Sequence, residues 1–427
     1  MARKEKRYDV IIVGSGPAGL GAAFHLCEKS DGRSILLIDK AKVSSGGLRN
    51  DCKQNYTYPV GFPRDLWSRE EATVYLERVA THLNPVYQTP GNIQPYVKRA
   101  EKLGVTLLSI LQAHVGTDRA LPLIKGLLKH IEDRGVEVSL GREMLSLDYP
   151  RRRISVSGEE AALEFTDLIL APGRAAYGWI QQIMRSLEVP FSDNIVDVGI
   201  RLEARAGNYP IVKDYYDPKF IFPDGVRTFC TNSGSAHVVK EKYEHYYSVN
   251  GHSFSTGRTP NGLVNFAMLK TISLTDPVVS GHEFAVILGQ MAMQLSGGKP
   301  MMQRVGDFRM GNRSKASTFN DDLYDFKPTL KGATPGDITL AMPARILRDI
   351  WKSLKMLDTI VPGILHPSTI LYYPEIKTYA NRPRFSDRHF QIREGVYIIG
   401  DGAGTSRGIT AAWASGIRAA EGILGAN

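Results

Sequence analysis

The sequence predicts an α/β fold: a Rossmann-like, dinucleotide-binding domain interrupted by an inserted, mixed α+β substrate or cap domain. Three observations predict it. An apolar strand runs into a G-x-G-x-x-G turn at residues 10–19; a second strand, glycine-rich turn and helix occupies residues 395–416; and the texture of the chain changes between about residues 191 and 385. The expected division is 1–190 with 386–427 for the discontinuous nucleotide-binding domain, and 191–385 for the insert.

Residues 10–13 form an apolar strand that delivers Gly14 to a tight turn, and Gly16 lacks the Cβ that would block a pyrophosphate. Gly19 lets the next helix lie close to the sheet. That helix begins near Pro17 and Ala18, points its positive end at the phosphates, and has a small or apolar inner face in Ala22, Ala23 and Leu26. Residues 35–38 read as a second buried parallel strand. It places Asp39, followed by Lys40, at its carboxyl end, 20 residues after Gly19, where a carboxylate accepts hydrogen bonds from ribose hydroxyls. A further strand at 136–140 is positioned to meet an adenine through its backbone near Val138.

Composition bounds the rest. A chain of 427 residues is too long for one compact core and implies two domains, and its 43% apolar and 23% charged residues are those of a globular protein. No apolar run approaches the ~18 residues of a membrane-spanning helix. The basic start at residues 1–7 runs directly into the first strand with no cleavage site, so a cytoplasmic location is expected. Cys27, Cys52 and Cys230 lie far apart with no C-x-x-C, which gives neither a disulfide framework nor a metal site. The net charge of +9 is scattered, with its largest clusters at residues 4–7 and 151–153, and aromatics do not interleave them. Solvated loops and attraction for an anionic cofactor or substrate account for it, and a nucleic-acid partner is disfavoured.

The far end of the chain carries the second signal. In Gly400-Asp401-Gly-Ala-Gly404-Thr-Ser-Arg407-Gly408 the acid sits at the turn, well placed for a sugar-alcohol hydroxyl such as those of the ribitol chain of FAD. The helix that follows, from about Gly408 through Ile409 and Thr410, has a small-residue face in Ala411, Ala412, Ser415, Gly416, Ala419 and Ala420, suited to packing tightly on a sheet. Its N-terminal amides suit the flavin's pyrimidine edge, where negative charge accumulates on reduction. Paired with the N-terminal turn, this makes FAD rather than NAD the expected ligand, because both ends of the chain then close on one extended cofactor.

These segments resemble the two-dinucleotide-binding-domain flavoproteins, and more narrowly a family of FAD-dependent dehydrogenases known as NAD(FAD)-utilising dehydrogenases. The matching pieces are residues 45–51, 114–118, 170–174, 196–201, 227–232, 249–253 and, most specifically, 400–408. One departure is Asp51-Cys52-Lys53, where the family has Asp-Gly-Lys. The resemblance implies FAD binding. Gly46 and Gly47, with Leu48, would let the chain pass close to the flavin ring, and Arg49, Asn50 and Lys53 either hydrogen-bond near that ring or form a solvated loop. Ala171, Pro172 and Gly173 resemble the segment that returns the chain to the cofactor. Thr117 or Asp118 reads as the N-cap of a helix.

In the insert, strand-like runs at 195–202, 220–222, 236–239 and 262–269 alternate with polar loops. Helical patterns follow at 284–295 and 343–357, and a late strand at 368–373. Candidate catalytic groups are Arg407, to stabilise a reduced flavin anion or anchor a substrate carboxylate; His252, as a proton donor or acceptor; and Lys377. A plain phosphate-binding or surface arginine and a structural histidine are the competing readings of the first two. Lys377 alternates with Tyr373 and Glu375, giving either a substrate-facing row or a ladder of surface polars. Cys230 reads as a buried, inert thiol. No second G-x-G-x-x-G follows a strand and no redox cysteine pair exists, so electrons must pass to the substrate, a transient NADH or NADPH, or an electron-transfer partner. The expected activity is that of an FAD-dependent dehydrogenase or reductase transferring hydride between flavin N5 and a small, anionic organic substrate; the alternatives are a flavin-dependent monooxygenase and an RNA-modifying flavoprotein.

Overall fold

The computed structural model describes residues 6–29, 32–43, 46–49, 52–254, 259–274, 280–320, 324 and 326–425. The chain forms two compact units, one of residues 1–87, 111–194 and 379–427, the other of residues 88–110 and 195–378.

The first unit contains, in chain order, β1 (Arg7–Val13), α1 (Pro17–Lys29), β2 (Ile35–Asp39), α2 (Arg69–Leu83), α3 (Thr117–Glu132), β3 (Glu137–Leu140), β4 (Leu163–Leu170), β5 (Val396–Ile398) and α4 (Ile409–Gly425). Its strands pair in parallel in the order β5-β4-β1-β2-β3. These strands are near-continuous apolar runs because both faces are covered. Val10, Ile12, Leu37 and Ile169 pack with α1, α3 and α4, whereas Ile11, Val13, Leu36, Leu168 and Leu170 pack with Ile180, Ile183 and Met184 of the helix Tyr177–Ser186. Helix α3 has Gly116 as its N-cap, so Thr117 and Asp118 both fall inside the first turn, and Asp118 acts there as a favourable charge at the positive helix end instead of as the cap.

Helix α4 shares the core with the sheet, Ile169 and Ile399 among its neighbours, and its small face also crosses α1 closely: a Cβ on Gly416 would fall 2.0 Å from the Ala18 carbonyl oxygen, and one on Gly21 would fall 2.3 Å from that of Trp413. The two helices cross backbone to backbone, which only glycine at the crossing permits.

The second unit is built on an eight-stranded sheet in the order Thr334–Pro335, Met301–Arg304, Ile370–Thr378, Val196–Arg205, Leu263–Ile272, Val226–Asn232, Lys219–Ile221, Thr106–Leu108. All neighbours are antiparallel except the first two. Helices Gly281–Leu295 and Ala344–Ile360 pack on its central strands, and the hairpin Ser235–Lys242 with Tyr247–Phe254 lies against them as well. Residues 88–110 belong to this unit because Thr106–Leu108 is its edge strand, with Leu107 opposite Phe220. Residues 379–385 belong to the first, where Asn381–Pro383 pairs with Phe191–Asp193. The exchange between units is therefore made by two segments, not one. Among the described residues no helix is long and apolar enough to cross a membrane.

Candidate functional site

The carboxyl ends of four parallel strands are laced together in the first unit. Gly14 N–H donates to the Ile38 carbonyl at 2.8 Å, Ala171 N–H to that of Val13 at 2.7 Å, and Ile399 N–H to that of Leu170 at 3.0 Å. The turns after β1, β4 and β5 are thereby gathered at one edge, at the point where strand order reverses about β1, the usual ligand position in open parallel sheets. Gly14 has φ +112°, and a Cβ there would sit 2.2 Å from the Ala171 oxygen, so the β4 turn can cross only over a glycine. Gly19 seats α1 on the turn, a Cβ falling 1.8 Å from the Gly14 oxygen. A Cβ on Gly16, by contrast, would meet no atom within 4 Å. That open space lies at the N-terminus of α1, where Pro17 takes the first helical position and so removes one N–H that no carbonyl could satisfy.

Asp39 is buried at the end of β2. Its Oδ2 accepts from the backbone N–H and the hydroxyl of Ser15, at 2.8 and 2.6 Å, and its Oδ1 from Ala41 N–H at 2.8 Å. Ser15, at an x position of the glycine motif, carried no sequence signal of this role. Both acceptor lobes of Oδ2 are thereby taken, and Oδ1 keeps one further lobe for a hydroxyl.

At the other turn, Asp401 accepts from Ser406 Oγ at 3.0 Å and from Gly408 N–H at 3.3 Å, with Arg174 Nε 3.9 Å away. Desolvation raises the Asp401 carboxyl above the ordinary aspartate range, and Arg174, the Gly408 amide and Ser406 partly oppose that rise. The β4 turn lies directly on this one, since a Cβ on Gly402 would fall 2.5 Å from the Gly173 oxygen. Arg174 and Ser406 are therefore additions to the predicted set; Arg174 follows Pro172 and Gly173 in the quoted segment, but its partner is a turn 227 residues away (401 minus 174).

The remaining predicted positions fall into two groups. The short helical turn Gly46–Arg49 touches the start of α4, with Ile409 Cγ1 3.3 Å from a Cβ on Gly47, and Val138 stands beside Leu37 in the sheet. Side chains of Leu48 and Ile409 are in the core, and the Thr410 hydroxyl is spent on the Asn55 carbonyl at 2.6 Å, so these three present backbone and not side chain to any ligand. Lys40 lies 3.7 Å from Glu143 at the surface, Arg49 is exposed, and Asn50 lies outside the described residues. The Arg407 guanidinium stacks 3.6 Å over the Tyr379 ring, while its backbone N–H donates to Gly61 O at 2.8 Å.

The other two catalytic candidates belong to the second unit. Lys377 is neither exposed nor part of a surface ladder: its side chain is 4% exposed and its Nζ is 3.1 Å from Glu241 and 3.7 Å from Glu375. Glu375 in turn grips Arg201 through both oxygens, at 2.7 and 2.8 Å, and both side chains are fully buried. Arg201 also donates to Asn265 Oδ1 at 2.8 Å and to the Cys230 carbonyl at 3.2 Å. Tyr373 does not share this face. A bulge between Gly199 and Arg201 puts Tyr372 in register with Arg201, which turns Tyr373 away to donate to the Ala341 carbonyl. His252 stands opposite His237 in the hairpin, next to Gly251, whose Cα lies against Arg201, Asn232 and Asn265 so closely that no Cβ fits. Cys230 is half-buried with φ +49°. Among the described residues no group of His, Cys, Asp and Glu is arranged to hold a metal ion.

Comparison with known proteins agrees with this arrangement. Residues 8–181, which include the Gly14 and Ala171 turns, match the family model described as pyridine nucleotide-disulphide oxidoreductase. The chain is 25% identical over 350 residues to an uncharacterized protein of Clostridium beijerinckii, covering 73% of this chain and 62% of that one. It is also 30% identical over 102 residues to a ferredoxin–NADP reductase of Halalkalibacterium halodurans, covering 24% of this chain and 30% of that enzyme. The chain thus spans less than two thirds of the length of the curated relatives it matches. In structure it is similar to an L-proline dehydrogenase from P. horikoshii, at TM-score 0.46 and 10% identity over 99% of this chain and 95% of that one. A glycine oxidase from Geobacillus kaustophilus is similar to the same degree, at TM-score 0.46 and 11% identity over 98% and 95%.

Proposed function

We propose that the protein is an FAD-dependent oxidoreductase that exchanges hydride between its flavin and a small, anionic organic substrate, as a dehydrogenase or reductase. The observation that carries this reading is the gathering of the Gly14, Ala171 and Gly400 turns at one sheet edge, with an acid on either side. The residues fit the cofactor. The empty space beyond Gly16, at the positive end of α1, suits a pyrophosphate, and the spare lobe of Asp39 Oδ1 suits a ribose hydroxyl. Asp401, held by Ser406 and Gly408, suits a ribitol hydroxyl, and the start of α4 presents free amides to the pyrimidine edge. FAD supplies the two-electron acceptor, and the protein's part is to bind and orient it.

Within this reading Arg407, stacked on Tyr379 beside the N-terminus of α4, is the cation that would offset negative charge on the reduced ring or hold a substrate carboxylate. Lys377 is assigned no proton transfer, because it is committed to Glu241 and Glu375, and His252 keeps its reading as a proton donor or acceptor. The resemblance to NAD(FAD)-utilising dehydrogenases supports the dehydrogenase form over the monooxygenase. The test is purification with its flavin spectrum, reconstitution with FAD, and anaerobic bleaching against NADH, NADPH and a panel of small acids. A colourless protein that takes up no FAD would overturn the reading; bleaching by NADH or NADPH followed, on admission of oxygen, by return of colour with a hydroxylated product would replace it with a monooxygenase.

A further inference from the structure

The helix Ala344–Ile360 is strongly two-sided. Ile346, Ile350, Leu354, Leu357 and Ile360 are buried, whereas Arg345, Arg348, Lys352 and Lys355 are exposed and recur every three or four residues along one stripe. That stripe is about 15 Å long. Only Lys352 is tied to a carboxylate, Asp224 at 2.8 Å. The stripe continues onto the neighbouring short helix Val305–Arg309, since the Phe308 ring packs on Trp351 with centroids 4.6 Å apart. Gln303 then binds two turns together, its Nε2 donating to Asn312 O at 2.8 Å and its Oε1 accepting from Ile338 N–H at 2.9 Å. From these turns project Met310, 76% exposed, and Leu340, 67% exposed, with Phe308, Arg309 and Arg313 also exposed beside them. Of the described acids nearby, Asp349 pairs with Lys270, whereas Asp307 accepts from Ser314 Oγ, Asp337 caps Thr339 and Asp358 accepts from the Gly363 and Leu365 N–H groups.

We infer that this face docks the protein peripherally on an anionic phospholipid bilayer. Among the described residues Arg309, Arg313, Arg345 and Lys355 form no ion pair with a carboxylate and Arg348 interacts with Asp224 only at longer range, which leaves their attraction available to a negative surface. The cations form a row along one helix, which a layer of anionic headgroups can meet together. Met310 and Leu340 are exposed at the turns beside it, with Phe308 partly covered by Trp351, so they can enter the acyl boundary.

The experiment is vesicle co-sedimentation of the full chain with phosphatidylcholine alone and with phosphatidylcholine containing phosphatidylglycerol, at about 0.1 M and about 0.5 M salt. Binding to the anionic vesicles only, weakened by salt, is expected. Arg345→Glu with Arg348→Glu should lower it more than tenfold, at about fivefold per cation removed. Phe308→Ser with Met310→Ser should lower the part that survives high salt. An equal charge reversal elsewhere, Lys125→Glu with Arg151→Glu, should leave binding within about twofold. Far-ultraviolet spectra and melting of each variant check the fold. No binding to anionic vesicles, equal loss in the Lys125 and Arg151 control, or indifference to the Phe308 and Met310 change would each overturn the inference. Binding to soluble poly-glutamate but not to vesicles would overturn it too, and make the face a protein-docking surface.

Discussion

Ser15 gives both of its donors, backbone N–H and hydroxyl, to a single oxygen of Asp39. The acid at the end of β2 therefore does two jobs, fixing the glycine turn after β1 through Oδ2 and keeping one acceptor lobe on Oδ1 for a ligand hydroxyl. Asp39→Ala removes both functions, and FAD affinity should fall by at least about thirtyfold, or ~2 kcal/mol. Ser15→Ala removes only the hydroxyl bond and should cost about fivefold, or ~1 kcal/mol. Titration of the apoprotein with FAD, followed by flavin fluorescence, separates them: equal losses would mean that the carboxylate holds the turn and touches no ribose.

Two glycines should respond in opposite ways to the same change. Gly16→Val places its side chain in open space, so the protein should melt within ~2 °C of wild type yet fail to retain flavin. Gly416→Val drives a side chain into the Ala18 carbonyl and should cost more than about 3 kcal/mol in urea unfolding. A Gly416→Val protein of normal stability would mean that α1 and α4 are free to separate.

The Arg201–Glu375 pair has no access to water, so loss of one partner strands the other. Glu375→Gln should destabilise by about 3–5 kcal/mol, whereas removing both charges with Arg201→Met and Glu375→Leu should cost less than the sum of the singles. Chemical denaturation of the four proteins of this cycle supplies the measurement.

Two buried groups set opposing pH dependences. Burial, reinforced by Arg78, depresses His25 to about 4. Between the ordinary histidine value and about 4 the unfolded chain takes a proton that the folded chain refuses, so stability falls as pH drops through that window. Burial raises Asp167 to about 6, so there the folded chain takes the proton first, and stability falls as pH rises from the ordinary aspartate value to about 6. Asp167→Asn should therefore raise Tm near neutral pH, by about 1 kcal/mol in stability, and the gain should shrink as pH falls from about 6 and vanish below the ordinary aspartate value. His25→Gln should flatten the acid limb of a Tm-against-pH curve, and an unchanged limb would assign it to another group.

What the residues disclose in advance depends on how local the cause is. The Gly14 turn, the apolar run 35–38 and the helix after Gly408 are each dictated within about twenty residues, and all three stand where the spacing puts them. Asp197, Gly199, Arg201 and Glu203 alternate like a strand with one wet face, but a hairpin some fifty residues on covers that face and the charges pair inside. Tyr373 misleads for a related reason, because a single bulge resets the alternation that the sequence implies. Thr106–Leu108 is only three residues long and leaves no periodic trace, yet it decides which unit owns residues 88–110. The partners of Asp401 were legible in part: Ser406 and Gly408 lie in the same turn, whereas Arg174 is brought to it only by the sheet.

The crossing of α1 and α4 joins residues about four hundred positions apart, Ala18 against Gly416. Contacts this distant in sequence form late, so α1 keeps its glycine and alanine flank bare until residues 409–425 reach it. The Gly14 turn, beside which α1 begins, is therefore braced only after all the chain between the two helices has been made.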